Sequence, residues 1–193
     1  MKVIKDTVLK NRSYRRFYQE KNIELNELRE LVDLARLSPS GANKQVLRYI
    51  LSNTKDSNDK IFDCIFWAGY FKEWDGPDEG EKPSAYIVVL KDTTNGSGSP
   101  QDDGIAVQSM LLGAVEKDLG GCIIANIDRN KLREKLNIIE QYEISLVLAL
   151  GYPKEDVVIE NINDSGDIKY WRDKNQVHHV PKRTLDQLII KEN

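Results

Sequence analysis

The chain carries 28 basic and 31 acidic side chains in 193 residues, a formal charge of −3, and 40% of its residues are apolar. This near balance leaves no basic footprint for nucleic acid, and the length suits one domain with a real core. No apolar run approaches the roughly 20 residues that cross a bilayer, and Met1-Lys2-Val3-Ile4-Lys5-Asp6 lacks a signal peptide's apolar stretch, so a cytoplasmic protein without membrane contact is expected.

A first short helix is predicted over residues 3–10, running straight into Asn11-Arg12-Ser13-Tyr14-Arg15-Arg16-Phe17. Leu25, Leu28, Leu31, Val32 and Ala35 then recur at helical spacing, with Glu27, Arg29, Glu30 and Asp33 on the other face. Pro39 disfavours helical geometry at Ser38, and Gly41 loosens the backbone further, so this helix stops there. A strand at residues 49–51 and a helix over 56–66 follow, then an aromatic, Gly- and acid-rich excursion at about 67–82.

Residues 85–90 read as a short apolar strand and 93–100 as a Gly/Ser loop. The helix over 102–117 is apolar on most faces and belongs in a core or an interface. A strand at 122–125, a helix capped by Asp128 and ending at Leu136, and a near-continuous apolar strand at 144–150 complete the core. From about residue 152 a long polar tail stays ordered only if something docks it. Helices mixed with strands around a central sheet give an α+β class.

Two segments carry the chemistry. Arg12, Ser13 and Arg15 place guanidinium groups and a hydroxyl near the start, and the turn Pro39-Ser40-Gly41-Ala42-Asn43-Lys44-Gln45 is rich in small polar residues. Both are devices for holding an anionic, aromatic ligand. Cys64 and Cys122 fit neither a paired metal motif nor a redox pair and read as buried apolar side chains. His178 and His179 are adjacent, point in different directions on an extended chain, and have no further ligand cluster, so no metal site is expected. Gly96-Ser97-Gly98 lacks the strand-to-helix setting of a dinucleotide fingerprint.

The arginine segment, the amphipathic helix and the Pro-Ser turn resemble the N-terminal half of the nitroreductase family. The likeness continues through Asp103-Gly104-Ile105-Ala106-Val107-Gln108, Leu119-Gly120-Gly121-Cys122 and Pro181-Lys182-Arg183, which covers nearly the whole chain. It implies one nitroreductase-like domain over residues 1–193, with a mostly antiparallel central sheet flanked by helices, in an intertwined homodimer with FMN between the subunits. NADH or NADPH would donate hydride, and an electron-poor acceptor such as a nitroaromatic or quinone would then be reduced in a ping-pong cycle. Relatives with other flavin reactions, such as reductive dehalogenation or substrate dehydrogenation, keep those alternatives open, as does a flavin-binding protein without efficient turnover.

The resemblance also assigns residues. Arg12 and Arg183 offer planar forks to the flavin phosphate, with single contacts from Ser13 and Lys182. Arg15 places its charge near the pyrimidine edge, where it raises the flavin's reduction potential. Pro39, Ser40, Gly41, Asn43 and Gln45 reach the flavin from the second subunit, and the backbone at Ala125 and Asn126 meets the flavin's N5. Tyr70 and Trp74 form a lid that stacks on flat substrates, and the tail packs across the partner before returning to the phosphate. Asn11 departs from the basic residue that many members carry before the Arg-Ser pair, which removes one phosphate contact.

Overall fold

In a computed structural model, which describes residues 2–96, 98–163 and 165–193, two helices open the chain: α1 (Lys2–Lys10) and α2 (Leu25–Leu37). Then come β1 (Leu47–Ser52), α3 (Lys55–Phe62), β2 (Ala85–Asp92), α4 (Asp102–Glu116), β3 (Gly120–Ile124), α5 (Arg129–Leu136) and β4 (Tyr142–Gly151). The tail adds β5 (Val157–Asn161), β6 (Trp171–Arg172), β7 (His178–Lys182) and α6 (Leu185–Leu188). The Gly96-Ser97-Gly98 segment falls partly outside the described residues at Ser97.

The central sheet has the order β1-β2-β4-β3, and every pairing in it is antiparallel. Side chains alternate faces along a strand, so a strand that is apolar throughout must be covered on both sides. β2 shows this directly. Tyr86, Val88 and Leu90 join Ile61 of α3 and Leu132 of α5 in one core, whereas Ala85 and Ile87 join Leu28 and Leu31 of α2 and Met110 of α4 in the other. This is the α+β arrangement expected, with helices on both faces of an antiparallel sheet.

Local signals end the elements. Thr54 accepts a hydrogen bond from the Ser57 N–H to start α3, Asp128 accepts one from Lys131 to start α5, and Asn137 closes α5 in the left-handed region at φ 52°. The α3 helix stops at Phe62 rather than running to residue 66, because the chain turns there: the Cys64 N–H donates to the Ile61 carbonyl, and Phe66 pairs with the Asn126 carbonyl. Cys64 and Cys122 are both buried and unpaired.

The tail departs most from the sequence expectation. It forms a second sheet of order β5-β7-β6, in which β5 and β7 run parallel from Val157 opposite His178 to Asn161 opposite Lys182. Residues 157–161, 171–172 and 178–182 thus pair within their own chain. Beyond them, Leu185, Leu188 and Ile190 are exposed, Ile190 almost wholly. None of the three tail strands alternates cleanly, and Pro181 interrupts β7, so period-two reading passes over them.

Candidate functional site

The arginine segment crosses the entry of β3 at backbone distance. Ser13 and Gly121 form an isolated parallel bridge, and the Tyr14 N–H donates to the Gly121 carbonyl at 3.0 Å. Gly120 permits this approach, since a Cβ there would lie 2.4 Å from the Tyr14 ring, while Gly121 permits the close pairing with β4, since a Cβ there would lie 2.7 Å from the Ala149 carbonyl oxygen, which is backbone and cannot swing away. The paired glycines therefore seat the arginines on the sheet.

Above this seat lies a pocket of about 350 Å³, within the usual range for small-ligand sites. Asn11, Arg12, Ser13 and Arg15 form one wall, Gln108 and Leu111 of α4 with Ile123 of β3 another, and Val157, His178, Val180 and Lys182 of the tail sheet a third. Three cations face it and, among the described lining residues, no carboxylate does. The Arg12 Nε is buried without a hydrogen-bond partner among the described residues, while its Nη2 donates to the Val8 carbonyl at 2.7 Å. A buried donor of this kind wants an acceptor, and a phosphate supplies several. The residues present thus fit a flavin phosphate, with Leu111, Ile123, Val157 and Val180 as apolar surface for a flat ring system.

Glu155 ties this wall together. Its Oε1 accepts hydrogen bonds from the backbone N–H groups of Arg15 and Arg16, and its Oε2 accepts from Arg172 Nη2 at 3.0 Å. The carboxylate side chain is 2% exposed and the Arg172 side chain 10%. Burial pushes the carboxyl upward, but His178 beside it, the Arg15 N–H and the Arg172 charge together hold it below the ordinary glutamate value. One buried acid therefore fixes the backbone of the arginine segment against the tail.

Arg15 itself is 9% exposed, donates from Nη1 to the Ser13 carbonyl at 3.1 Å, and sits with its Cζ 4.8 Å from the centre of the Tyr170 ring. Tyr170 also packs on Tyr70, Phe71 and His178, at 4.8, 5.1 and 5.3 Å between ring centres. Tyr70 and Trp74 do not line the arginine pocket. They line a neighbouring open groove that shares Tyr170 as its wall, with the Arg172 guanidinium 4.5 Å from the Trp74 ring. The excursion is thereby pinned to the tail, and Glu81 within it pairs with Arg16 at 3.2 Å.

In the tail, Lys182 lines the pocket and Arg183 does not: along β7 the positions His178, Val180 and Lys182 share the pocket side, and Arg183 is the exposed residue just after. Ala125 and Asn126 are exposed beyond the end of β3, two and three residues past the pocket residue Ile123.

The second motif lies apart. Pro39, Ser40 and Gln45 line a different pocket, about 270 Å³, that shares no residue with the first. Asp102, buried at the start of α4, accepts from the Gly41 N–H at 2.8 Å and from the Ser40 hydroxyl at 3.3 Å. Ala42, Asn43 and Gln45 all have φ near +50°, a left-handed conformation that costs non-glycine residues energy and tends to persist where function needs it. Asn43 is exposed at the tip. One chain therefore does not bring Asn43 to Arg12; the turn is presented outward.

Sequence reasoning missed Glu155, Arg172, Tyr170, His178, Gln108 and Asp102 as parts of these sites. Asp102 was legible as a first-turn acid before an apolar helix; Glu155 and Arg172 had no local pattern. Among the described residues, no helix is long and apolar enough to cross a membrane, and no cluster of three or more His, Cys, Asp or Glu side chains is placed to hold a metal.

Comparison with known proteins gives a consistent picture. The Nitroreductase family matches residues 8–152. An iodotyrosine deiodinase from Thermotoga neapolitana is 25% identical over 172 residues, covering 80% of this chain and 91% of that protein. A putative NADH dehydrogenase/NAD(P)H nitroreductase from Archaeoglobus fulgidus is 26% identical over 150 residues, covering 73% and 80%. Among solved structures, an FMN-dependent nitroreductase from Clostridium difficile shares the fold, with a TM-score of 0.63 at 22% identity over 82% of this chain and 91% of that one.

Proposed function

The chain belongs to the nitroreductase family of oxidoreductases, and we propose that it is a single FMN-binding domain over residues 1–193 that works as a homodimer. In this reading it takes hydride from NADH or NADPH and reduces an electron-poor acceptor such as a nitroaromatic or quinone. The observation that carries it is the acid-free pocket with three cations and an unsatisfied, buried Arg12 Nε. FMN supplies the redox chemistry when bound. The protein's own residues bind and orient it: Arg12, Ser13 and Lys182 at the phosphate, Arg15 at the ring edge where negative charge accumulates on reduction.

The outward-facing turn and exposed apolar side chains support the homodimer. Asn43 and its neighbours reach no flavin pocket in their own chain, and a second copy related by a two-fold axis would supply one. Val3 and Ile4 of α1 are exposed, as are Ile105 of α4 and Leu185, Leu188 and Ile190 of the tail, and a second copy would give them apolar surface to pack against. The names of the relatives support FMN and a nicotinamide donor, and the deiodinase supports a second reading, reductive dehalogenation of a halogenated phenol in the same pocket.

Anaerobic reduction separates these readings. The FMN-loaded protein is expected to lose its visible flavin bands on adding NADH or NADPH and to regain them on adding a nitroaromatic or a quinone. Recovery with a halogenated phenol alone would favour dehalogenation, and no bleaching by either nicotinamide would contradict the proposed donor.

A further inference from the structure

His178 is 1% exposed, yet neither of its ring nitrogens has a hydrogen-bond partner among the described residues. Leaving a buried imidazole N–H unsatisfied is costly, so a position of this kind calls for a missing partner. The ring lines the pocket formed by Arg12, Arg15 and Lys182. It cannot easily turn elsewhere, because Phe71 and Tyr170 pack against it with ring centres at 5.6 and 5.3 Å. Its backbone is equally fixed, by the ladder to Val157 and by donation of its N–H to the Asp156 carbonyl.

The two nitrogens have different surroundings. Nδ1 stands 3.8 Å from Glu155 Oε2, near the acceptor but outside hydrogen-bond distance. A small closure of that gap makes Nδ1–H a donor to Glu155. Nε2, on the other side of the ring, is buried and has no partner among the described residues.

Position along the strand says which part of a ligand His178 meets. Lys182 lies four residues farther along the same side of β7, about 13 Å away at the usual strand rise. With a phosphate at Arg12 and Lys182, a ligand lying along Val180 and Val157 brings its ring end to His178, where Arg15 also stands on the shared Tyr170 ring. We propose that His178 is a ligand-contacting residue at this ring end, whose Nε2 hydrogen-bonds a polar edge of the bound isoalloxazine while Glu155 holds the imidazole in place. This rests on the flavin reading above and adds to it a residue that the family resemblance does not supply.

The test uses the full-length protein, free FMN and two substitutions. The chain has only two histidines, so imidazole NMR signals can be assigned by comparison with His178→Gln. Saturating FMN is expected to shift the His178 ring signals of the wild type more than those of His179. His178→Phe keeps a flat ring between Phe71 and Tyr170 but removes both nitrogens; it is expected to weaken FMN binding about tenfold, corresponding to about 1.4 kcal/mol, without lowering the melting temperature of the flavin-free protein. His178→Gln, whose amide can both donate and accept, is expected to keep most of the affinity. FMN binding by the wild type with unmoved His178 signals, or with equal affinity in the Phe variant, would overturn the role of His178 alone. A wild type that takes up no FMN would overturn the flavin reading, and this inference with it.

Discussion

Glu155→Ala is expected to lower stability by about 3–5 kcal/mol, the usual result of leaving one member of a buried ion pair without its partner. For a domain of this size that corresponds to a fall in melting temperature on the order of 10 °C. The size of the effect follows from what the carboxylate holds: two N–H groups of the arginine segment and the buried Arg172 guanidinium. Its removal leaves all three without an acceptor and cuts the link between the arginine wall and the tail.

The same carboxylate carries a pH dependence. Because its folded value lies below the ordinary glutamate pKa of about 4.3, its contribution is complete above that pH and is lost as the pH falls through the lower folded value. Urea unfolding followed from pH 6 to pH 3 is therefore expected to show less acid sensitivity in Glu155→Gln than in the wild type. Identical acid profiles, or a Glu155→Ala protein as stable as the wild type, would contradict the clamp.

Arg12→Ala is expected to weaken FMN binding by about tenfold to a hundredfold, the range for losing a hydrogen bond to a charged group. Riboflavin, which has no phosphate, should bind the two proteins alike. This contrast isolates the phosphate contact, since the Arg12 guanidinium bonds the Val8 backbone carbonyl and no carboxylate among the described residues. Fluorescence titration with both ligands checks it. An equal loss for riboflavin would mean that Arg12 shapes the pocket instead of binding the phosphate.

The sheet and its helices were legible because their signals are local. Ala85-Tyr86-Ile87-Val88-Val89-Leu90 is an apolar run bounded by polar residues, and Leu28, Leu31 and Ala35 mark a helix face by spacing alone. The paired glycines were legible as residues and not as a cause: what makes Gly120 necessary is Tyr14, more than a hundred positions away, and what makes Gly121 necessary is the Ala149 carbonyl of the neighbouring strand. Glu155 and Arg172 were illegible for the same reason, since a buried ion pair acquires its meaning only when the tail folds back onto residues 15 and 16.

The site residues divide along similar lines. Arg12, Ser13, Arg15 and Lys182 meet in one pocket, whereas strand alternation carries Arg183 out of it and Tyr170 separates Tyr70 and Trp74 from it. A tail read only by composition hides that alternation, because β7 begins with two histidines and contains a proline. The histidines were weighed as metal ligands and set aside. The burial of His178 depends on Phe71 and Tyr170, aromatics from two segments that touch only in the folded chain.

The measurement that bears most directly on the proposed flavin site is the visible absorbance of the purified protein after incubation with FMN and removal of free ligand by gel filtration. Flavin bands that travel with the protein are the expected result. A colourless protein that retains no FMN would contradict the site, and would return Arg12 and Arg15 to a structural role beneath the tail.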